Sequence, residues 1–149
     1  MQAATLYWNI ISQPSRSLAV FFDLAKVDVE KKHLEFTKGD HKTPEFMKIN
    51  PRGQLPAYSE GDFHLAESAT IMRYIMATRD APESLYPKDT KTRAQVDTWC
   101  DWALGTLRPM NYLIFDEYKK IMFKTGEFRE ENHVLGVKRL KQHLTYLDE

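Results

Sequence analysis

Ser12, His41, Lys42, Gln54, Glu67 and Ser68 are the residues whose types and positions in this chain could do chemistry. Ser12 follows the apolar run Leu6-Tyr-Trp-Asn-Ile-Ile11 and stands just before Pro14, which suits the first turn of a helix. A hydroxyl there and the positive end of a helix dipole can face one anion together. Glu67 and Ser68 open another helical periodicity, through Ile71, Met72 and Ile75. Ser68 can cap that helix, or offer its hydroxyl and the free amides to a carboxylate. Glu67 can favour the same turn or meet an ammonium. His41 and Lys42 lie in the polar stretch Lys38-Gly-Asp-His-Lys42, where a solvated surface charge is the ordinary expectation. The histidines and the single cysteine, Cys100, have no metal-ligand spacing, so no metal is expected.

Those side chains need a scaffold, and the pattern supplies one. Leu6 to Ile11 reads as a strand buried on both faces. Leu18, Phe21, Phe22 and Ala25 then recur at helical spacing, and His33 to Phe36 is a second, weaker strand. Thr43-Pro44 reads as a cap and first turn of a short helix that carries Phe46 and Ile49 inward. Leu55 to Tyr58 and Asp62 to Leu65 flank Ser59-Glu-Gly61 as a hairpin. The order strand, helix, strand, helix, hairpin, helix is that of a compact α/β unit over residues 1–80.

Residues 81–87, with two prolines, read as a linker, and residues 88–149 contain no strand pattern. Val96, Trp99, Cys100, Ala103 and Leu107 form an amphipathic stripe that Pro109 is expected to kink or interrupt. Val134, Val137, Leu140, Leu144 and Leu147 form another. Trp99 and Trp102 read as packing residues, and Cys100 as a small buried hydrophobe. Two such helices make a poor domain alone, so they are expected to lean on the first domain, a partner chain or further sequence.

Composition sets outer bounds. The 149 residues hold 21 Lys plus Arg against 21 Asp plus Glu, so the formal net charge is zero and a general nucleic-acid binder is not expected. With one cysteine no intramolecular disulfide forms, which fits a reducing compartment. The N-terminus does not read as a signal peptide, and no apolar run nears the about 20 residues that span a bilayer. A soluble cytoplasmic protein is the expectation.

Ser12-Gln-Pro-Ser-Arg16, Gly39-Asp-His-Lys42, Ile49-Asn-Pro-Arg-Gly-Gln-Leu-Pro56 and Glu67-Ser68 fall in the order and spacing of one family. None is specific alone. Together, on the expected elements, they make the chain resemble theta-class glutathione transferases, closely over residues 4 to 110 and loosely beyond. The resemblance implies a thioredoxin-like domain (a four-stranded mixed sheet with three helices) followed by part of an all-helical domain. It implies glutathione as co-substrate, no prosthetic group, and conjugation of the thiolate to a small hydrophobic electrophile. A glutathione-dependent peroxidase or isomerase, or a non-catalytic binding or assembly subunit, are the alternatives. It further implies a homodimer, or a partner chain that completes the helical domain.

The resemblance also assigns roles. Leu55-Pro56 would be a cis turn whose Leu55 backbone pairs with the cysteinyl portion like an added strand. Glu67 would meet the γ-glutamyl ammonium and Ser68 its carboxylate. His41, Lys42 and Gln54 would receive the glycyl carboxylate. Ser12 would donate a hydrogen bond to the thiolate, with Tyr7 second and Ser15 third in that role and Arg16 a support. Arg108 would add a cation to the active site, and Asp101 would reach the ammonium of a partner subunit.

Overall fold

The computed structural model describes residues 4–147, so the first residues of the stretch read for a signal peptide, and the end of the helical segment at Glu149, lie outside the described residues. The chain forms two compact units that divide between Thr90 and Lys91. The first holds β1 (Ala4–Trp8), α1 (Gln13–Ala25), β2 (Glu30–His33), α2 (Pro44–Ile49), β3 (Ala57–Glu60), β4 (Phe63–Ala66) and α3 (Ser68–Thr78). Its four strands run in the order β2-β1-β3-β4, β1 parallel to β2 and the other pairs antiparallel. This is the four-stranded mixed sheet of a thioredoxin-like domain, followed by a helical domain.

The sheet is covered on both faces because its central strands alternate. Leu6 pairs with Tyr58, and both enter a core with Leu18, Phe22, Ile71 and Ile75 of α1 and α3. Tyr7 pairs with Ala57, and both belong to a second core with Leu34, Phe46 and Leu55, under α2. Each fully buried Leu, Ile or Phe contributes about 1.5–3 kcal/mol. At the far end of β3, Glu60 pairs with Arg79 at 2.5 Å and accepts from the Tyr74 hydroxyl at 3.0 Å. That ion pair ties β3 to the end of α3, and the Arg79 hydrogen bond holds the Glu60 carboxyl below its ordinary range.

Several element bounds differ from the sequence expectation, each for a local reason. β1 ends at Trp8, not Ile11, because the Asn9 side chain accepts from the Ile11 N–H and draws the chain into a turn. Ile10 is left 56% exposed, so the run is not buried throughout. β2 lies three residues earlier than expected and is exposed along its length, while Phe36 opens one of two 3-10 turns, Phe36–Lys38 and Asp40–Lys42. The hairpin is displaced by one to two residues, with Gly61 at φ 59° in its turn. In the stretch read as a linker, Ala81 and Leu85 pack against the first core.

The second unit holds α4 (Thr90–Trp102), α5 (Arg108–Phe123) and α6 (Glu130–Leu144). Pro109 breaks the α register but not the helix. Ala103–Leu107 winds as a π-helix and the chain continues into α5 with Leu107 and Arg108 still right-handed helical. The stripe expected to bury α6 is only partly its packing face. Val134, Leu144 and Leu147 are exposed, whereas Gly136 is buried against α5, where an added Cβ would come within 2.8 Å of Ile114 Cγ1. Cys100 is half-buried rather than enclosed, and Trp99 is exposed on one side while its ring meets Trp102 at 5.6 Å.

Glu117 joins α5 to the start of α6. Its buried carboxylate accepts from Lys120 Nζ, the Arg129 backbone N–H and Asn132 Nδ2 at 2.7–2.8 Å. These donors, Asn132 first, lower its pKa from 4.5 to about 2. A depressed carboxylate stabilises the fold fully above the unfolded value, and that contribution is lost as pH falls from about 4.5 toward 2. Denaturant unfolding of wild type and Glu117→Gln therefore diverges most near pH 6 and converges near pH 2. A difference that stays constant across that range would exclude Glu117 as its source.

Candidate functional site

Ser12 is the N-cap of α1, with extended backbone (φ −73°, ψ 111°), and its side chain makes no capping bond. The hydroxyl instead donates to the Leu55 carbonyl at 3.3 Å, across forty-three residues of sequence. That is long for an O–H···O bond, whose usual length is about 2.7–2.8 Å, so the hydroxyl can be recruited by a stronger acceptor. A thiolate is such an acceptor, and the α1 N-terminus adds positive potential beside it.

Leu55 precedes a cis bond to Pro56, and its side chain is buried in the second core. The residue lies just outside β3, and among the described residues no backbone partner is paired with its N–H. An extended ligand laid along it can take that donor as an added strand would.

The N-terminus of α3 is the second pole of the site. Ser68 is its first residue and is 5% exposed, and no side chain caps the helix. Its first-turn amides can therefore receive a carboxylate. Glu67, immediately before it, has φ 68° and ψ 114°, outside the regions favoured by L-residues. Such a conformation holds only where the surroundings impose it, and it is most frequent at functional sites. The Glu67 carboxylate pairs with the Arg52 guanidinium at 2.5 Å.

The third pole lies around Gly53. With φ +57°, it lets the Asp40–Lys42 turn pack onto the Pro51-Arg-Gly53 turn, and a Cβ there would meet Lys42 Nζ at 2.7 Å and the His41 carbonyl at 2.8 Å. Lys42 Nζ donates to the Arg52 carbonyl at 3.4 Å, and the Gln54 side chain is exposed alongside. The His41 ring meets Phe36 edge-on, and its Nδ1 is buried without a hydrogen-bond partner among the described residues. Burial first, then the Lys42 charge, push its pKa below the ordinary value, so His41 offers a neutral ring while Lys42 offers the cation.

The structure thus brings Ser12 to Leu55, Lys42 to Arg52, and Arg52 to Glu67 beside Ser68. Tyr7 faces the α2 side, its ring 5.6 Å from Phe46 with Lys32 above it at 5.7 Å. Ser15 is fully buried and its hydroxyl has no partner among the described residues. Arg16 donates to the carbonyls of Ile10 and Ile11, at 2.6 and 3.2 Å, and so supports the loop that presents Ser12. Arg108 and Asp101 belong to the second unit, where Arg108 lies over the Tyr112 ring at 5.6 Å. Among the described residues no group of three His, Cys, Asp or Glu could hold a metal, and no helix is long and apolar enough to cross a membrane.

Two residues were not singled out from sequence. Asn9 is 3% exposed, donates to the Leu34 carbonyl at 2.7 Å, accepts from the Ile11 N–H at 2.8 Å, and its own carbonyl receives the Ser12 N–H. Asn50, equally buried, donates to the Gln54 carbonyl at 2.8 Å and accepts from the Arg52 N–H at 3.2 Å. Each holds from behind a loop that carries candidate site residues. The available signal was an asparagine two residues before the backbone N–H it binds, the spacing of an Asx turn.

Comparison with known proteins bears on the family and the fold. The glutathione S-transferase N-terminal domain family matches residues 3–77. Human glutathione S-transferase theta-2 is 35% identical over 103 residues, covering 69% of this chain and 42% of that protein. Mouse glutathione S-transferase theta-3 is 37% identical over 103 residues, covering 69% of this chain and 43% of that protein. The crystal structure of human glutathione transferase theta-2, in complex with glutathione and an unknown ligand, superposes with a TM-score of 0.88 at 27% identity, covering 97% of this chain and 60% of that one. The chain spans about two fifths of the length of these curated relatives.

Proposed function

This chain belongs to the glutathione S-transferase family, and we propose that it binds glutathione, stabilises the thiolate and conjugates it to small hydrophobic electrophiles. The observation that carries this reading is the Ser12 hydroxyl at the Leu55 backbone. Glutathione is an extended tripeptide with an ammonium and a carboxylate at one end, a carboxylate at the other and a thiol between. The cysteinyl part lies along Leu55, with its sulfur toward Ser12. The glycyl carboxylate meets Lys42, His41 and Gln54, and the γ-glutamyl end meets Ser68 and Glu67. The chemistry asked of Ser12 is not nucleophilic attack. It is donation to a charged sulfur, which lowers the thiol pKa. No prosthetic group is needed for that step, because the nucleophile is the bound co-substrate.

Calorimetric titration of the 149-residue chain with glutathione tests the reading. Saturable binding is expected at up to millimolar concentrations, weakened about tenfold by Ser68→Ala and by Glu67→Ala, the loss of one charge-assisted hydrogen bond. A folded chain that shows no saturation would overturn the catalytic reading and leave a non-catalytic binding or assembly subunit.

A further inference from the structure

Arg52 pairs with Glu67 at the N-terminus of α3, and the roles assigned so far leave it unused. Its backbone is fixed on both sides. The N–H donates to Asn50 Oδ1, the carbonyl accepts from Lys42 Nζ, and Gly53 follows at positive φ. Its side chain crosses to Glu67, Nη2 to Oε1 at 2.5 Å. The two side chains remain 57% and 47% exposed. Ion pairs that exposed contribute little to stability, so fold stability does not account for the pairing. Glu67 also holds an unfavourable backbone conformation to present its carboxylate there.

The arrangement is a cation and an anion side by side at an uncapped helix N-terminus. That is the complement of an α-amino-acid zwitterion. We infer that Arg52 is a specificity-determining residue that receives the α-carboxylate of the γ-glutamyl end, while Glu67 takes the adjacent ammonium. A guanidinium has five N–H donors in a fixed planar fork, so Arg52 retains donors for a second carboxylate after pairing with Glu67. With the α3 amides, those donors can hold both carboxylate oxygens. The site then selects ligands that present both charges on one carbon over those that present the ammonium alone. The assignment rests on the glutathione reading above.

Two ligands separate the possibilities. One is glutathione. The other is γ-aminobutyryl-cysteinylglycine, which keeps the ammonium, the thiol and the glycyl carboxylate and lacks only the α-carboxylate. By calorimetry at low salt, the wild-type chain binds glutathione at least about tenfold more tightly than the analogue. Arg52→Leu weakens glutathione about tenfold and leaves analogue affinity within about twofold, and Arg52→Lys recovers part of the loss. An unchanged glutathione affinity in Arg52→Leu would overturn the assignment while leaving the glutathione reading intact. Equal weakening of both ligands would overturn it too, since Arg52 would then only hold Glu67 in place. If wild type binds neither ligand, the glutathione reading fails and takes this assignment with it.

Discussion

Ser12→Ala is expected to lower kcat/KM for the proposed conjugation of glutathione to a small electrophile by about tenfold at pH 7, with a deficit that shrinks as pH approaches 9. The size follows from thiol ionisation. A free thiol has a pKa of about 8.5, so only a few per cent is thiolate at neutrality. A hydrogen bond to the charged sulfur is worth about 1.5–3 kcal/mol, which lowers that pKa by about one to two units. The lower-pKa thiolate is also a somewhat weaker nucleophile, and this keeps the expected loss near the low end. Above the free-thiol pKa the sulfur ionises without help and the two proteins converge. The check is a pair of pH–rate profiles with Tyr7→Phe as a third arm. A deficit independent of pH would mean that Ser12 acts through geometry and not ionisation. If Tyr7→Phe shifts the profile and Ser12→Ala does not, the thiolate donor is Tyr7.

Asn9→Ala destabilises the first unit by about 2–3 kcal/mol, although Asn9 is given no contact with glutathione. The variant leaves the Leu34 carbonyl and the Ile11 N–H without the partners that Asn9 supplies at 2.7 and 2.8 Å. Each unsatisfied buried group costs about 1–3 kcal/mol, and the exposure of Ile11 lets water recover part of the second. For a unit of this size the melting temperature falls by about 8–24 °C, at about 4–8 °C per kcal/mol. Asn9→Asp keeps the acceptor for Ile11 but sets a carboxylate against the Leu34 carbonyl. It is therefore at least as destabilising at pH 7, with partial recovery in acid as the carboxyl is protonated. Thermal unfolding followed by circular dichroism measures both. A shift below about 2 °C for Asn9→Ala would mean that the loop before Ser12 is held by Arg16 and not by Asn9.

The two asparagines mark the boundary of what could be read without coordinates. Periodicity located α1 and α3, because Leu18, Phe21, Phe22 and Ala25, or Ile71 and Ile75, announce a buried stripe whatever they pack against, but it did not announce α5, the middle helix of the second unit. Turn chemistry located the hairpin and the cap at Thr43, whose hydroxyl accepts the Phe46 N–H at 3.3 Å. Polar residues next to those starts (Ser12, Glu67 and Ser68) were visible because a helix N-terminus is a local feature with a known charge. Strand limits were less legible. Glu30–His33 is exposed and polar, and it is a strand only because β1 lies beside it to complete its hydrogen bonds.

By itself, then, the sequence determined the main elements of the first unit, their order and the chemical groups at their ends, since these follow from spacing, capping and side-chain type over a few residues. Tertiary structure alone decided which of those groups meet. The Ser12 hydroxyl reaches the Leu55 carbonyl, and Arg52 reaches Glu67, because a parallel crossover and an antiparallel return bring distant loops to one end of the sheet. It also decided that Gly136 lies against α5 where a Cβ would not fit, while Val134 of the apolar stripe stays exposed. Local pattern records which residues prefer to be buried. Which neighbour covers them depends on backbone distances that no short stretch of sequence encodes.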